Sequence, residues 1–122
     1  MRRFAAALAL AALCASCQKF AEGRQLFREL LVLRDEVTKQ FHEANVDVQI
    51  INGDRMKVTF IDSPMITRSQ EEKQKRADEV ATFVTAHYKH PLKSVMTVFL
   101  ARSGGFGVTF NKSEAFIGHP AG

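Results

Sequence analysis

Apolar and polar residues recur with two different periods along this chain, and the changes of period predict the element order α-β-β-α-β-β. From Arg24 to about Glu43 the apolar residues are spaced by three and four positions, as on one side of a helix. The same spacing returns after Ser69, where Glu72 completes a capping-box pattern, and Pro91 ends it. The chain therefore predicts two amphipathic helices.

Alternation of apolar and polar residues predicts four strands between and after these helices. The first two lie near Val46–Ile50 and Met56–Phe60 and are joined by the turn sequence Asn52-Gly53-Asp54. The third lies at about Lys93–Arg102, and the fourth lies near Phe106–Phe110.

The length of the first hairpin loop follows from which residues must share a face. A two-residue loop would pair Val48 with Lys57 and place a lysine beside a core residue. A three-residue loop pairs Val48 with Val58 and Ile50 with Met56. The sequence therefore predicts the three-residue loop or a bulge.

This order of elements predicts an α+β domain, in which both helices pack on one face of a four-stranded, mainly antiparallel sheet. The third strand is apolar on both faces, which indicates an interior position. We expect the helices to cover the face that carries Val58, Phe60, Met96 and Val98. The other face would be open, and its threonines and large apolar residues are typical of a contact surface. The residues expected to bind a partner there are Thr59, Ile61, Val95, Thr97, Phe99 and Thr109.

The first seventeen residues have a different character. Arg2 and Arg3 precede an apolar run, Phe4–Leu13, that is too short to span a bilayer, and Ala15-Ser16-Cys17 follows. This order predicts a secretory signal peptide over residues 1–16.

The stretch around Cys17 resembles the lipobox of bacterial lipoproteins, with Cys14 at the position where that family prefers leucine. The resemblance implies cleavage before Cys17, acylation of that cysteine with chains such as palmitate, and a membrane-anchored tether over 17–23. The length and the pattern of elements predict one domain over 24–118. The residue after the cysteine is Gln18 and not the aspartate that retains some lipoproteins in the inner membrane. This favours the outer membrane or a periplasmic location. If Cys17 only marks a cleavage boundary, the protein is instead secreted and soluble.

The predicted hairpin, the helix after it and the returning strand resemble the BON domains of bacterial envelope proteins, over about Leu26–Leu100. The resemblance rests on the order of elements and implies a related fold in the envelope. The glycine usual in the second BON strand is absent from Val58-Thr59-Phe60-Ile61.

Composition and charge argue against nucleic-acid binding and against a disulfide scaffold. The chain has 122 residues, and its only cysteines, Cys14 and Cys17, lie at the predicted cleavage site, so the mature domain must fold by packing alone. Loss of Arg2 and Arg3 with the signal leaves 15 basic and 13 acidic residues, a formal charge of +2.

Few residues suggest catalysis or metal binding. His87 and His90 are weak candidates for a shared metal ion, because histidines also suit the C-terminus of a helix. Asp62, beside Ser63-Pro64, is explained by a turn, and no serine lies in a nucleophile elbow. The sequence therefore predicts neither an enzyme nor a cofactor.

The expected function is that of an envelope lipoprotein with a non-catalytic binding module, which uses an exposed sheet face or sheet edge. Its expected partners are the membrane, through the N-terminal lipid, and another envelope protein or a second copy of the chain. The alternative is a periplasmic protein that binds a small molecule or metal, or a minor enzyme, at the His87–His90 end of the second helix.

Overall fold

The computed structural model describes residues 23–105 and 108–121, with the backbone alone over 103–105 and 108–111. The chain divides into two compact units, Met1–Leu30 and Leu31–Gly122. In the first unit, residues 23–30 are helical, and Gln25 Nε2 donates a hydrogen bond to Glu29 Oε1. The predicted signal peptide and most of the tether lie outside the described residues. All that follows concerns the second unit.

The elements follow the predicted order, and the α+β class is confirmed. They are helix α1 (residues 23–41, of which 31–41 belong to the second unit), β1 (Val46–Ile51), β2 (Arg55–Ile61), a 3-10 turn (Pro64–Thr67), α2 (Gln70–His87), β3 (Ser94–Gly105) and β4 (Val108–Gly118). The last strand continues to Gly118, well beyond the predicted Phe106–Phe110, and so includes a tail in which the pattern is weak.

The sheet is mixed, with the strand order β1-β2-β3-β4. Strands β1 and β2 pair antiparallel, as do β3 and β4, but β2 and β3 are parallel. The expectation of a mainly antiparallel sheet was wrong in this respect. Helix α2 connects β2 to β3 as a crossover, and a strand that returns through a crossover helix pairs parallel to the one it left.

The first hairpin has the predicted three-residue loop. Val48 lies opposite Val58 and Ile50 lies opposite Met56, so apolar residues share one face. Asn52 and Gly53 adopt positive φ angles of 55° and 81°, which these two residue types tolerate better than most.

Hydrogen-bonded caps mark the start of α2 and the end of α1. Ser69 Oγ accepts from the backbone N–H of Glu72 at 3.1 Å, which confirms Ser69 as the N-cap of α2. At the end of α1, His42 has a positive φ of 53°, and the N–H of Glu43 donates to Thr38 O at 3.2 Å. That bond spans five residues backward and is the longer bond of a Schellman cap.

The core lies on the face of the sheet that carries Met56, Val58 and Phe60, all buried. Phe41, near the end of α1, contacts Phe60 at 6.2 Å and Phe83 of α2 at 5.8 Å between ring centroids. Helix α1 therefore packs its last turn on the same face as α2, as predicted.

The face assignment for β3 was wrong. The parallel register pairs Val58 with Thr97 and Phe60 with Phe99, so Val95, Thr97 and Phe99 lie on the core face, with exposures of 3%, 0% and 2%. The Phe60 and Phe99 rings stack at 5.8 Å with an interplanar angle of 22°. Met96 and Val98, expected in the core, lie on the opposite face. Because β3 is apolar on both faces, its sequence pattern does not show which face packs against the helices.

Strand β4 approaches α2 closely at its C-terminal end. Phe116 contacts the Phe99 ring at 5.9 Å, so it folds back onto the core. Two residues later, Gly118 pairs with Val95, and a Cβ placed there would overlap the backbone carbonyl oxygen of Ala77 in α2. Only glycine fits this contact without a shift of helix or strand.

We predict that Thr97→Val raises the free energy of unfolding by about 1 kcal/mol, because it removes a buried polar atom without a partner while preserving side-chain shape. Thr97 is fully buried, and its Oγ1 has no hydrogen-bond partner among the residues that the structure describes. Urea denaturation measures the change. As a control, Thr85→Val on the exposed side of α2 should change stability by no more than about 0.5 kcal/mol. A Thr97→Val protein less stable than the parent would contradict the prediction.

Candidate interaction surface

The sheet face turned away from α2 carries a continuous set of apolar side chains. The strand register places Thr59 beside Val98 and Val98 beside Ala115, in one row across three strands. The rows before and after it pair Met96 with Ile117 and Ile61 with Leu100. We call this set the open face; its members are Thr59, Ile61, Met96, Val98, Leu100, Ala115 and Ile117.

The open face is partly accessible to solvent. Ile117 is 52% exposed and Ala115 is also exposed, whereas Met96, Val98 and Leu100 are partly exposed. Thr59, between them, is buried by its neighbours. Contiguous apolar surface of this kind is uncommon on proteins that have no partner, and it marks contact sites more often than scattered exposed residues do.

A polar margin borders the open face on the side of β1. Asp47 pairs with Thr59, and Gln49 pairs with Lys57 in the next row. Arg55, at the start of β2, adds a second exposed cation. An apolar centre with a polar rim of both charges is the usual composition of a protein interface.

Two of the predicted binding residues, Thr59 and Ile61, do lie on the open face. Val95, Thr97 and Phe99 do not, because they are buried beneath the helices. These three residues therefore do not belong to the candidate surface.

For two further predicted residues the structure describes no side chain. Thr109 pairs with Gly104 in the β3–β4 ladder, but its side chain is not among those described. Cys17, the predicted lipidation site, lies outside the described residues altogether.

Five members of the open face are absent from the set of binding residues predicted from the sequence. Met96 and Val98 were expected in the core, with Leu100 on the same face of the strand, and the predicted fourth strand, Phe106–Phe110, ends before Ala115 and Ile117. The pattern of β4 holds a usable signal, because Glu114, Phe116 and Gly118 alternate with these last two residues. Sequence alone does not reveal which of the two sets faces the helices.

Asp62 links the end of β2 to β3. With a positive φ of 54°, it donates its N–H to Leu100 O at 2.7 Å, and its carboxylate accepts from the Arg102 N–H at 2.8 Å and from Arg102 Nη2 at 3.2 Å. The backbone hydrogen bond from Arg102 is the largest cause that lowers the pKa of Asp62; desolvation opposes it, and the side-chain hydrogen bond and charge of Arg102 lower the pKa further. These contacts explain Asp62 as a structural residue.

A buried polar pair joins the end of α1 to the end of β2. The Ser63 hydroxyl donates to the Glu43 carboxylate, and Ser63 Oγ also accepts from the N–H of Met65 at 3.1 Å. Both side chains are buried, so each satisfies a group that would otherwise lose its hydrogen bonds to water.

A second ion pair joins β4 to the first turn of α2. Lys73 is only 2% exposed, and its Nζ lies 2.9 Å from Glu114 Oε1, while Gln70 Nε2 donates to Glu114 Oε2 at 2.7 Å. The hydrogen bond from Gln70 and then that from Lys73 lower the pKa of Glu114. The carboxylate thereby compensates a buried ammonium.

His87 and His90 each contact an aromatic residue. The His87 ring stacks on Phe83 at 4.0 Å, and the His90 ring meets Tyr88 edge-on at 5.2 Å. Within the described ranges no three His, Cys, Asp or Glu side chains are grouped so that they could hold a metal ion.

Comparison with protein-family models, with curated proteins and with solved structures finds no match for this chain. In the part of the chain that the structure describes, no helix has both the length and the apolar character needed to cross a membrane.

We predict that acid destabilises the domain partly through Glu114. A carboxyl group whose folded pKa is lowered contributes stability above its ordinary pKa of about 4.5, and this contribution is lost as the pH falls through the lower folded value. Glu114→Gln should therefore be less stable at pH 7, and its further loss of stability below pH 4 should be shallower. Urea midpoints between pH 7 and pH 3 measure both effects. The exposed Glu71→Gln variant is the control, and an unchanged pH profile for Glu114→Gln would contradict the prediction.

Proposed function

We propose that this protein is an exported lipoprotein, anchored through Cys17, whose domain associates with a second copy of itself through the open face. The observation that carries the proposal is the apolar set on the sheet face opposite the helices. The basic start, short apolar run and lipobox-like cysteine support the anchor. The activity is binding, without catalysis.

The choice of a second copy follows from the chemistry of the face. An occupant must present a flat apolar surface, and the open face of another copy has that composition. The margin is also self-complementary in charge, because it carries the acid Asp47 and the bases Lys57 and Arg55 on the β1 side. Across a two-fold axis the acid of one copy can meet a base of the other.

The expected contact is small. Four strands spaced about 4.8 Å apart and seven residues long at about 3.3 Å each give a face of about 440 Å². Two such faces would bury about 900 Å² of planar area, less than a standard stable interface. Association through the face alone is therefore weak and reversible.

A membrane anchor would compensate for this weakness. Lipid chains confine both copies to one surface, which raises their effective concentration without any new contact. The anchor and the open face thus complement each other: the first concentrates the domain, and the second forms the contact. On this proposal, the detached domain is monomeric in dilute solution.

The anchor is tested by Cys17→Ser. We expect the parent protein in the membrane fraction, labelled by a palmitate analogue, and the variant unlabelled and released from that fraction, because the acceptor thiol is lost. Cys14→Ser is the matched control and should remain membrane-bound and labelled. Equal membrane retention of both variants would contradict lipid anchoring at Cys17 and favour an anchor-free exported protein.

The contact is tested by a photo-crosslinking residue at Ile117, the most exposed large residue of the open face, in living cells. We expect an adduct of twice the protein mass, and loss of that adduct in a chain that also carries Val98→Asp and still shows native circular dichroism. A crosslinker at exposed Lys75 of α2 is the control and should give no dimer. An adduct of another mass would contradict self-association and assign the face to a different protein. No adduct would contradict the face as a contact surface.

A further inference from the structure

A cavity of about 630 Å³ lies between the end of α1 and the C-terminal half of α2, on the side of the sheet opposite the open face. It is shallow and widely open to solvent, and its volume falls within the range of small-molecule sites. Its walls include two phenylalanine rings and four polar side chains. The lining includes Gln40, Phe41, Glu79, Phe83, Ala86 and His87.

The orientation of His87 determines which of its nitrogens can meet a ligand. Nδ1 lies 2.8 Å from Phe83 O, and because a carbonyl oxygen only accepts, Nδ1 carries the proton of this hydrogen bond. In the neutral ring, Nε2 then keeps a lone pair. Stacking on Phe83 at 4.0 Å fixes the ring. His87 therefore adds a positioned hydrogen-bond acceptor to the lining of the cavity.

The charge of the lining favours a cation. Glu79 supplies a half-exposed carboxylate, and its only described ion-pair partner, Arg76, is 3.7 Å away. Arg76 also places its guanidinium 5.2 Å from the centre of the Phe41 ring, so this ring is one that a cation can contact. The cavity lies along the last turns of α2, and the negative end of the helix dipole there also favours positive charge.

The C-terminal tail completes the cavity. The N–H of His119 donates to Asp78 Oδ1 at 2.9 Å, and the N–H of Ala121 donates to Thr82 Oγ1 at 2.9 Å. These two bonds hold the tail along α2, and Ala121 thereby forms part of the lining. The site is thus assembled from three separate segments of the chain.

We infer that this cavity binds a small organic cation: a primary ammonium joined by a short linker to an aromatic ring. The ring would lie against Phe41, Phe83 and Ala86, and the ammonium would donate to the Glu79 carboxylate and to His87 Nε2. This site is independent of the proposed contact through the open face.

The test is a titration of the intact purified protein with 2-phenylethylammonium, followed by amide chemical shifts of Ala86, His87 and Ala121. The neutral analogue 2-phenylethanol measures the contribution of charge. We expect the cation to bind about fivefold more tightly than the alcohol, as for one partly exposed charge pair. In Glu79→Gln this preference should disappear while the alcohol binds unchanged.

A filling variant tests the location. Ala86→Phe adds a ring at the wall without removing a core residue, and it should weaken binding of both probes at least tenfold. Thr85→Phe, its exposed neighbour, lies outside the lining and should bind like the parent. Binding that is unaffected by Ala86→Phe, or absent at millimolar probe, would overturn the inference. An alcohol that binds as tightly as the cation would overturn the assignment of charge.

Discussion

The parallel contact between β2 and β3 is the interaction on which the remaining arrangement depends. It sets Phe60 against Phe99 in a stacked pair at 5.8 Å and buries Thr97 beside Val58. Because residues on a strand alternate between faces, one register decides the position of every β3 side chain. Strand β4 pairs with β3, so its own alternation follows from the same register, and with it the composition of the open face.

Polar side chains secure this framework at its ends. Asp62 joins β2 to β3, Glu114 joins β4 to α2, and Asp78 holds the C-terminal tail along α2. Hydrogen bonds to each of these carboxylates lower its pKa, which shows that the folded state stabilises the charged form. Asp62, which the sequence explains by a turn, is thus engaged in hydrogen bonds between β2 and β3.

The two proposed surfaces lie on different sides of the sheet. The open face is an even, apolar surface suited to a broad and weak protein contact. The cavity between the helices is concave and carries a carboxylate and an oriented imidazole, which suits a small cation. A ligand in the cavity would contact no residue of the open face, so the two can be tested separately.

The sequence by itself determined the features that depend on neighbouring residues. Local spacing was sufficient to predict the two helices, the Ser69 cap and the three-residue hairpin loop, because capping and loop length depend on residues close together in the chain. Tertiary structure decided the rest. The parallel pairing arises from a crossover of more than thirty residues, and β3 is apolar on both faces, so only packing against α2 selects Phe99 for the core and Val98 for the surface. The cavity likewise brings together Gln40, Glu79 and Ala121, which are far apart in sequence, and no local pattern encodes their meeting.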